Sequence, residues 1–186
     1  MSEERDTEGR ILDAVVTLLS RDGMDGVSMR AVAREADVAL GLMNYYYESK
    51  TALIAAALRR IGDQDSQLIP EHPGEDAEEA TRQVLRRVAD EEFLRSEYLS
   101  ARLQLWALAP IDPVYAQINN ESQTRYRDRL ATLIAAARPG LRRKEALHRA
   151  TDVVVIQNGM WLTALILGDR AGIERSVRLC EEIALA

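Results

Sequence analysis

The chain has one cysteine, Cys180, so no disulfide can form within it. A lone thiol suits a reducing compartment. There are two histidines, His72 and His148, and neither stands at metal-ligand spacing with the other or with Cys180. Cations are outnumbered, 24 Lys and Arg against 30 Asp and Glu, giving a net charge of -6. No global basic surface exists, so contact with nucleic acid must come from a local patch. No apolar run approaches the roughly 18 residues that cross a bilayer. The opening MSEERDTEGR lacks the apolar stretch of a signal peptide, and the expectation is a soluble cytoplasmic protein. There is no nucleophile elbow, no phosphate-cradling glycine loop and no HExxH. The carboxylates lie along solvated helix faces. No enzyme, metal site or cofactor is expected.

What remains is an ordinary globular mix, 47% hydrophobic and 29% charged, with five prolines in 186 residues. The abundance of Ala, Leu, Arg and Glu favours helix. The pattern predicts an all-α chain of about nine helices. Ile11, Leu12, Val15, Leu18 and Leu19 recur at spacings of three and four, marking a first amphipathic helix over 8–21. Gly23 and Gly26 supply a turn. Ser28 stands at an N-cap position before a short helix with Val32, Ala33 and Ala36. Asp37-Val38 reads as a tight break before a very short helix over 39–45. Ser49 caps the next, which runs to about residue 61. Residues 62–76, GDQDSQLIPEHPGED, read as a linker or boundary. Further helices are expected over 76–92, 96–109, 113–137, 143–167 and 170–184.

The segment SMRAVAREADVALGLMNYYYESK (28–50) carries the sharpest signal. Two short helices joined by a tight turn form a helix-turn-helix, whose second helix enters the DNA major groove. That second helix is ALGLMNY. Gly41 allows a backbone to approach closely, either the preceding helix or DNA. Successive helical residues point about 100° apart, so Tyr45, Tyr46 and Tyr47 cannot share one face. One or two should pack inward and at least one should point out, where a phenol can donate to phosphate. Between residues 28 and 60 five cations face three acids, a local +2 within a chain of -6.

These residues resemble the DNA-binding domain of the TetR (tetracycline repressor) family. The matching elements are ILDA at 11–14, Gly23, Ser28, Val32-Ala33, ADVALG at 36–41, NYYY at 44–47 and Ser49-Lys50. The resemblance implies a helix-turn-helix domain over 1–50 and a helical ligand-binding and dimerisation domain over 51–186. It implies a regulator, usually a repressor, that binds a palindromic operator as a homodimer and is released by a small-molecule inducer. It also implies DNA contacts from Ser28, Arg30, Ala39, Leu40, Leu42, Met43, Tyr45, Tyr46 and Lys50, with Tyr47 in the place of a packing Phe. Three residues depart from the family pattern: Asp37 where Gly is usual, Ala39 where Ser is usual and Asn44 where Tyr is usual. They keep open an alternative, a helical dimer that binds a ligand or partner and has lost specific DNA binding.

The C-terminal part is less informative. GMWLTALILGD at 159–169 and the final helix resemble the choline-responsive BetI-like type. The helix at 143–167 is apolar on nearly all faces, so it is buried on more than one side. With the helix at 170–184 it forms either half of a symmetric dimer interface or the closure of a monomer core. Tyr98, Arg102, Trp106, Asn158 and Trp161 are candidate inducer contacts, since aromatic faces attract cations and amides orient ligands. The bland alternative is that both tryptophans are ordinary core.

Overall fold

The computed structural model describes residues 2–72, 74 and 76–186, with side chains from residue 6 onward. Among the described residues the chain is all-helical: α1 (Ser2–Gly26), α2 (Met29–Glu35), α3 (Leu40–Tyr46), α4 (Lys50–Gln67), α5 (Ala77–Arg87), α6 (Glu91–Leu94), α7 (Ser96–Trp106), α8 (Pro113–Ala137), α9 (Arg143–Leu167) and α10 (Arg170–Leu185). Nine of these exceed one turn, and α6 is a single turn of four residues.

They pack as two compact units. The first comprises Met1–Ile61 and Ser96–Asn120, the second Gly62–Arg95 and Glu121–Ala186. The first is organised around α1, whose Ile11, Val15 and Leu19 are fully buried against α2, α3 and the first part of α4. The helix breaks its dihedrals at Gly23 (φ 69°) and then resumes to Gly26, five residues past the sequence expectation. The non-helical kink is the turn that the glycine signals. Helix α7 packs along α1, and Gln104 Nε2 donates to the Leu19 carbonyl at 2.8 Å.

The second unit buries Val84, Leu85, Leu130, Ile134, Val153 and Cys180 among α5, α8, α9 and α10. Side-chain caps define its helices: Asp76 accepts from Glu79 N–H and Asp169 from Gly172 N–H, both at 2.9 Å. Gly168 ends α9 in the left-handed region at φ 62°.

Two sequence expectations are corrected. Helix α4 continues to Gln67, so residues 62–67 are not linker. Gly62 is a packing glycine rather than a breaker, because a Cβ there would lie 2.3 Å from Ser122 Oγ. Pro73 and Glu75, which also fall within that expectation, lie outside the described residues. Second, α9 is long and apolar enough, by length and composition, to cross a membrane, with an 18-residue window of mean hydropathy 1.4. Isolated polar residues such as Asp152 and Gln157 had hidden that average. Its packing accounts for the composition in part: Ala146, Ala150, Val153, Gln157 and Met160 form a buried stripe at spacings of four and three. Val155, Leu162, Ile166 and Leu167 remain exposed on its other side.

Candidate functional site

The helix-turn-helix is built by caps and a left-handed turn. Ser28 takes extended dihedrals, and its Oγ accepts from Ala31 N–H at 3.2 Å, starting α2. At the other end Val38 N–H donates to the Ala33 carbonyl at 2.9 Å and Asp37 N–H to the Arg34 carbonyl at 3.3 Å. This pair of bonds is a Schellman motif, which demands a left-handed residue at its hinge. Asp37 is that residue, at φ 53°. Ala39 then occupies the N-cap of α3 with extended dihedrals and no side-chain cap.

The three tyrosines divide by direction. Tyr45 is 80% exposed, Tyr46 half-buried and Tyr47 only 6% exposed. Tyr45 and Tyr46 meet edge to face with ring centroids 5.7 Å apart. Tyr47 packs in the core and its hydroxyl donates to Glu8 Oε1 at 3.4 Å. Burial, reinforced by the Glu8 carboxylate, pushes the Tyr47 phenol well above its ordinary pKa.

The outward face of α3 carries Leu40, Gly41, Leu42, Asn44 and Tyr45, all exposed. Met43 was expected on or beside this surface. Instead it is fully buried in the first unit's core, about 160° around the helix from Tyr45. Arg30 and Arg34 are exposed on α2 and make no ion pair among the described residues. Lys50 is exposed, with Nζ 3.0 Å from the Met24 carbonyl. Other nearby cations are committed elsewhere: Arg21 to Asp22 and Glu35, Arg60 to Asp13 and the Gly9 carbonyl.

The five candidate ligand contacts fall into two groups. In the first unit, Tyr98, Arg102 and Trp106 stand at successive i, i+4 positions of α7. The Arg102 side chain is fully buried. Its guanidinium lies 4.9 Å from the Tyr98 ring centroid and 5.5 Å from that of Trp106, and Nη2 donates to the Tyr98 hydroxyl at 2.7 Å. The protein's own cation therefore covers both aromatic faces. In the second unit, Trp161 is 3% exposed and its indole N–H donates to the Val88 carbonyl at 2.9 Å. Asn158 is half-buried beside Gln123, 3.4 Å away. Tyr126 donates to Gln157 Oε1 at 3.1 Å, leaving Gln157 Nε2 as a buried donor with no hydrogen-bond partner among the described residues.

Residues 11–57 match the model of bacterial regulatory proteins of the tetR family, and residues 77–185 match that of the BetI-type transcriptional repressor C-terminal region. The second match alone spans more than half of the chain. The chain belongs to the TetR family. The HTH-type transcriptional regulator BetI of Escherichia coli (strain K12) is 26% identical over 163 residues, covering 86% of this chain and 82% of BetI. Among solved structures, a candidate transcriptional regulator from Pseudomonas aeruginosa PAO1 superposes with a TM-score of 0.82 at 24% identity, covering 98% of this chain and 89% of that one. A candidate regulator from Saccharomonospora viridis, solved in complex with choline, gives 0.76 at 22%, covering 98% and 95%. TetR proteins and these relatives are transcriptional regulators with a helix-turn-helix and a ligand-binding domain, not enzymes.

Two of the departures named from the resemblance have visible local consequences: Asp37 is the left-handed hinge of the turn, and Ala39 leaves α3 without a side-chain cap. Sequence reasoning missed three features. The Schellman hinge was legible in the Ala33–Val38 spacing around a residue tolerant of positive φ. The aromatic–cation–aromatic stack was legible in the Tyr-x3-Arg-x3-Trp spacing of residues 98–106. The unpartnered Gln157 amide had no signal in the sequence, because a glutamine's burial depends on packing.

Proposed function

We propose that the protein is a homodimeric repressor that binds a palindromic operator in the cytoplasm and is released by a small-molecule inducer. Residues 1–50 act as the DNA-reading domain and 51–186 as the ligand-binding and dimerisation domain. The observation that carries this reading is the outward face of α3, apolar and exposed, on a helix-turn-helix whose α2 carries Arg30 and Arg34, exposed and without an ion pair among the described residues. Nothing within the monomer accounts for leaving Leu40, Leu42 and Tyr45 in water together. Arg30, Lys50 and the Ser28 hydroxyl supply phosphate contacts, and Tyr45 and Tyr46 add phenol donors.

Dimerisation through 143–167 and 170–184 is supported by the exposed Val155, Leu162, Ile166, Leu167 and Leu179. Beside them α9 and α10 frame a groove of about 420 Å³, lined by Ile156, Met160, Thr163, Ile173, Ser176 and Leu179. An isologous interface would cover this face.

For the inducer, the choline complex of the Saccharomonospora viridis protein suggests a quaternary cation. In this chain the Tyr98 and Trp106 faces that would hold one are covered by Arg102, and Trp161 is tied to the Val88 carbonyl. The buried Gln157 Nε2 and the adjacent Asn158 favour a ligand that brings an oxygen acceptor.

The test is selection of bound sites from random duplex DNA at physiological salt. An enriched palindrome is expected. Failure of a folded dimer to enrich any sequence would transfer the assignment to a ligand- or partner-binding dimer without specific DNA affinity.

A further inference from the structure

Gly41 is the second residue of α3 and has no packing reason within the chain to be glycine. Its dihedrals are helical, and a Cβ built there meets nothing within 4 Å. Close packing against α2, one of the two explanations open from the sequence, is thereby excluded. Glycine within a helix is less favourable than alanine, and the open space over Gly41 leaves room for an external surface to approach the backbone. At about 100° per residue, Gly41 and Tyr45 lie at the centre of the outward face, Leu40 and Asn44 on one flank and Leu42 on the other. Leu40 and Leu42 are 38% and 41% exposed. This face bears no charged side chain between residues 39 and 47. Arginine or lysine paired with guanine O6 and N7 is the commonest specific contact to a base, and α3 offers neither. It offers apolar side chains, which fit the thymine C5-methyl group, and one carboxamide, which fits the adenine N6/N7 edge.

Resting on the regulator reading above, we infer that α3 reads A·T base pairs: Leu40 and Leu42 close on thymine methyls, Asn44 pairs with one adenine, and Gly41 lets the helix backbone descend to the base edges. The flanking cations Arg30, Arg34 and Lys50 hold the phosphates and contribute affinity without sequence preference.

The experiment starts from the selected operator. Each thymine of a half-site is replaced in turn by uracil, which removes the methyl group alone. Two or more positions should lose about fourfold in affinity each, the worth of one buried methyl. Asn44→Ala should lose about tenfold on the selected site and relax the preference at a single adenine. Gly41→Ala should melt at a higher temperature than the parent and yet bind the operator more weakly, a split that a purely structural glycine would not give. A half-site core dominated by G·C pairs, or full affinity for every uracil-substituted operator, would overturn the A·T readout while leaving the regulator reading intact. Absence of any selected sequence from the folded protein would overturn both.

Discussion

Asp37 provides the most direct test of how this helix-turn-helix is held. Its φ of 53° is set by the Schellman bonds at the end of α2 rather than by its own preference. A left-handed conformation costs an ordinary L-residue about 1–2 kcal/mol. Aspartate escapes part of that cost, since short polar side chains are enriched there. Glycine escapes all of it but gives up about 0.5–1 kcal/mol more backbone entropy on folding. The balance predicts that Asp37→Gly gains about 0.5 kcal/mol and Asp37→Ala loses about 1 kcal/mol. In a protein of this size those changes move Tm by about +1 to +2 °C and about −2 to −4 °C. Asp37→Asn keeps the tolerance of positive φ and drops the charge, so it should leave stability nearly unchanged. The asparagine and glycine variants should both bind DNA more tightly than the parent, with the gain shrinking as salt rises, because an exposed anion beside phosphate is screened. Thermal and urea melts of the four proteins, with operator anisotropy at two salt concentrations, separate the two effects. An alanine variant as stable as the glycine variant would refute the backbone argument. Unchanged affinity in the asparagine variant would refute the electrostatic one.

The empty cap of α3 leads to a second expectation: Ala39→Ser should stabilise by about 1 kcal/mol, read as a shift in urea midpoint. Tyr47 supplies a pH dependence. Its folded pKa is raised by burial and by Glu8, so its contribution to stability is complete below the unfolded value of about 10 and is lost as pH rises beyond it. Stability measured from pH 9 to 11 should fall, and Tyr47→Phe should flatten the decline while costing about 1 kcal/mol at neutral pH. Burial, with a smaller push from Glu181, raises the Cys180 thiol to about 12, so it should resist thiol reagents at pH 8 in the native protein and react promptly in denaturant.

The long helices were the most legible part of the fold. The bounds of α8 and α9 follow from proline and glycine punctuation at Pro113, Pro139-Gly140 and Gly168. The same punctuation misled at Gly62, where glycine admits Ser122 instead of ending α4. Met43 was set beside the recognition surface by the family resemblance, and a seven-residue helix holds too few positions for periodicity to correct that placement. The tyrosine run was read in outline, because 100° per residue forces three neighbours apart. Which one turned inward was fixed by tertiary packing. On α7 the sequence identified the aromatic side chains but not that Arg102 lies across them, since a stack is a matter of rotamers.

Three identical rings in sequence occupy three degrees of exposure, and that gradation makes the protein its own chemical reporter. A tyrosine-directed reagent such as iodine meets Tyr45 freely, Tyr46 partly and Tyr47 hardly at all. Because the three share one peptide, mass spectrometry reads their ratio without an external standard. Occupation of the α3 face would silence Tyr45 first, whereas loss of the fold would bring Tyr47 up to its neighbours. One labelling experiment thus distinguishes a covered surface from an opened core, with no probe engineered into the chain.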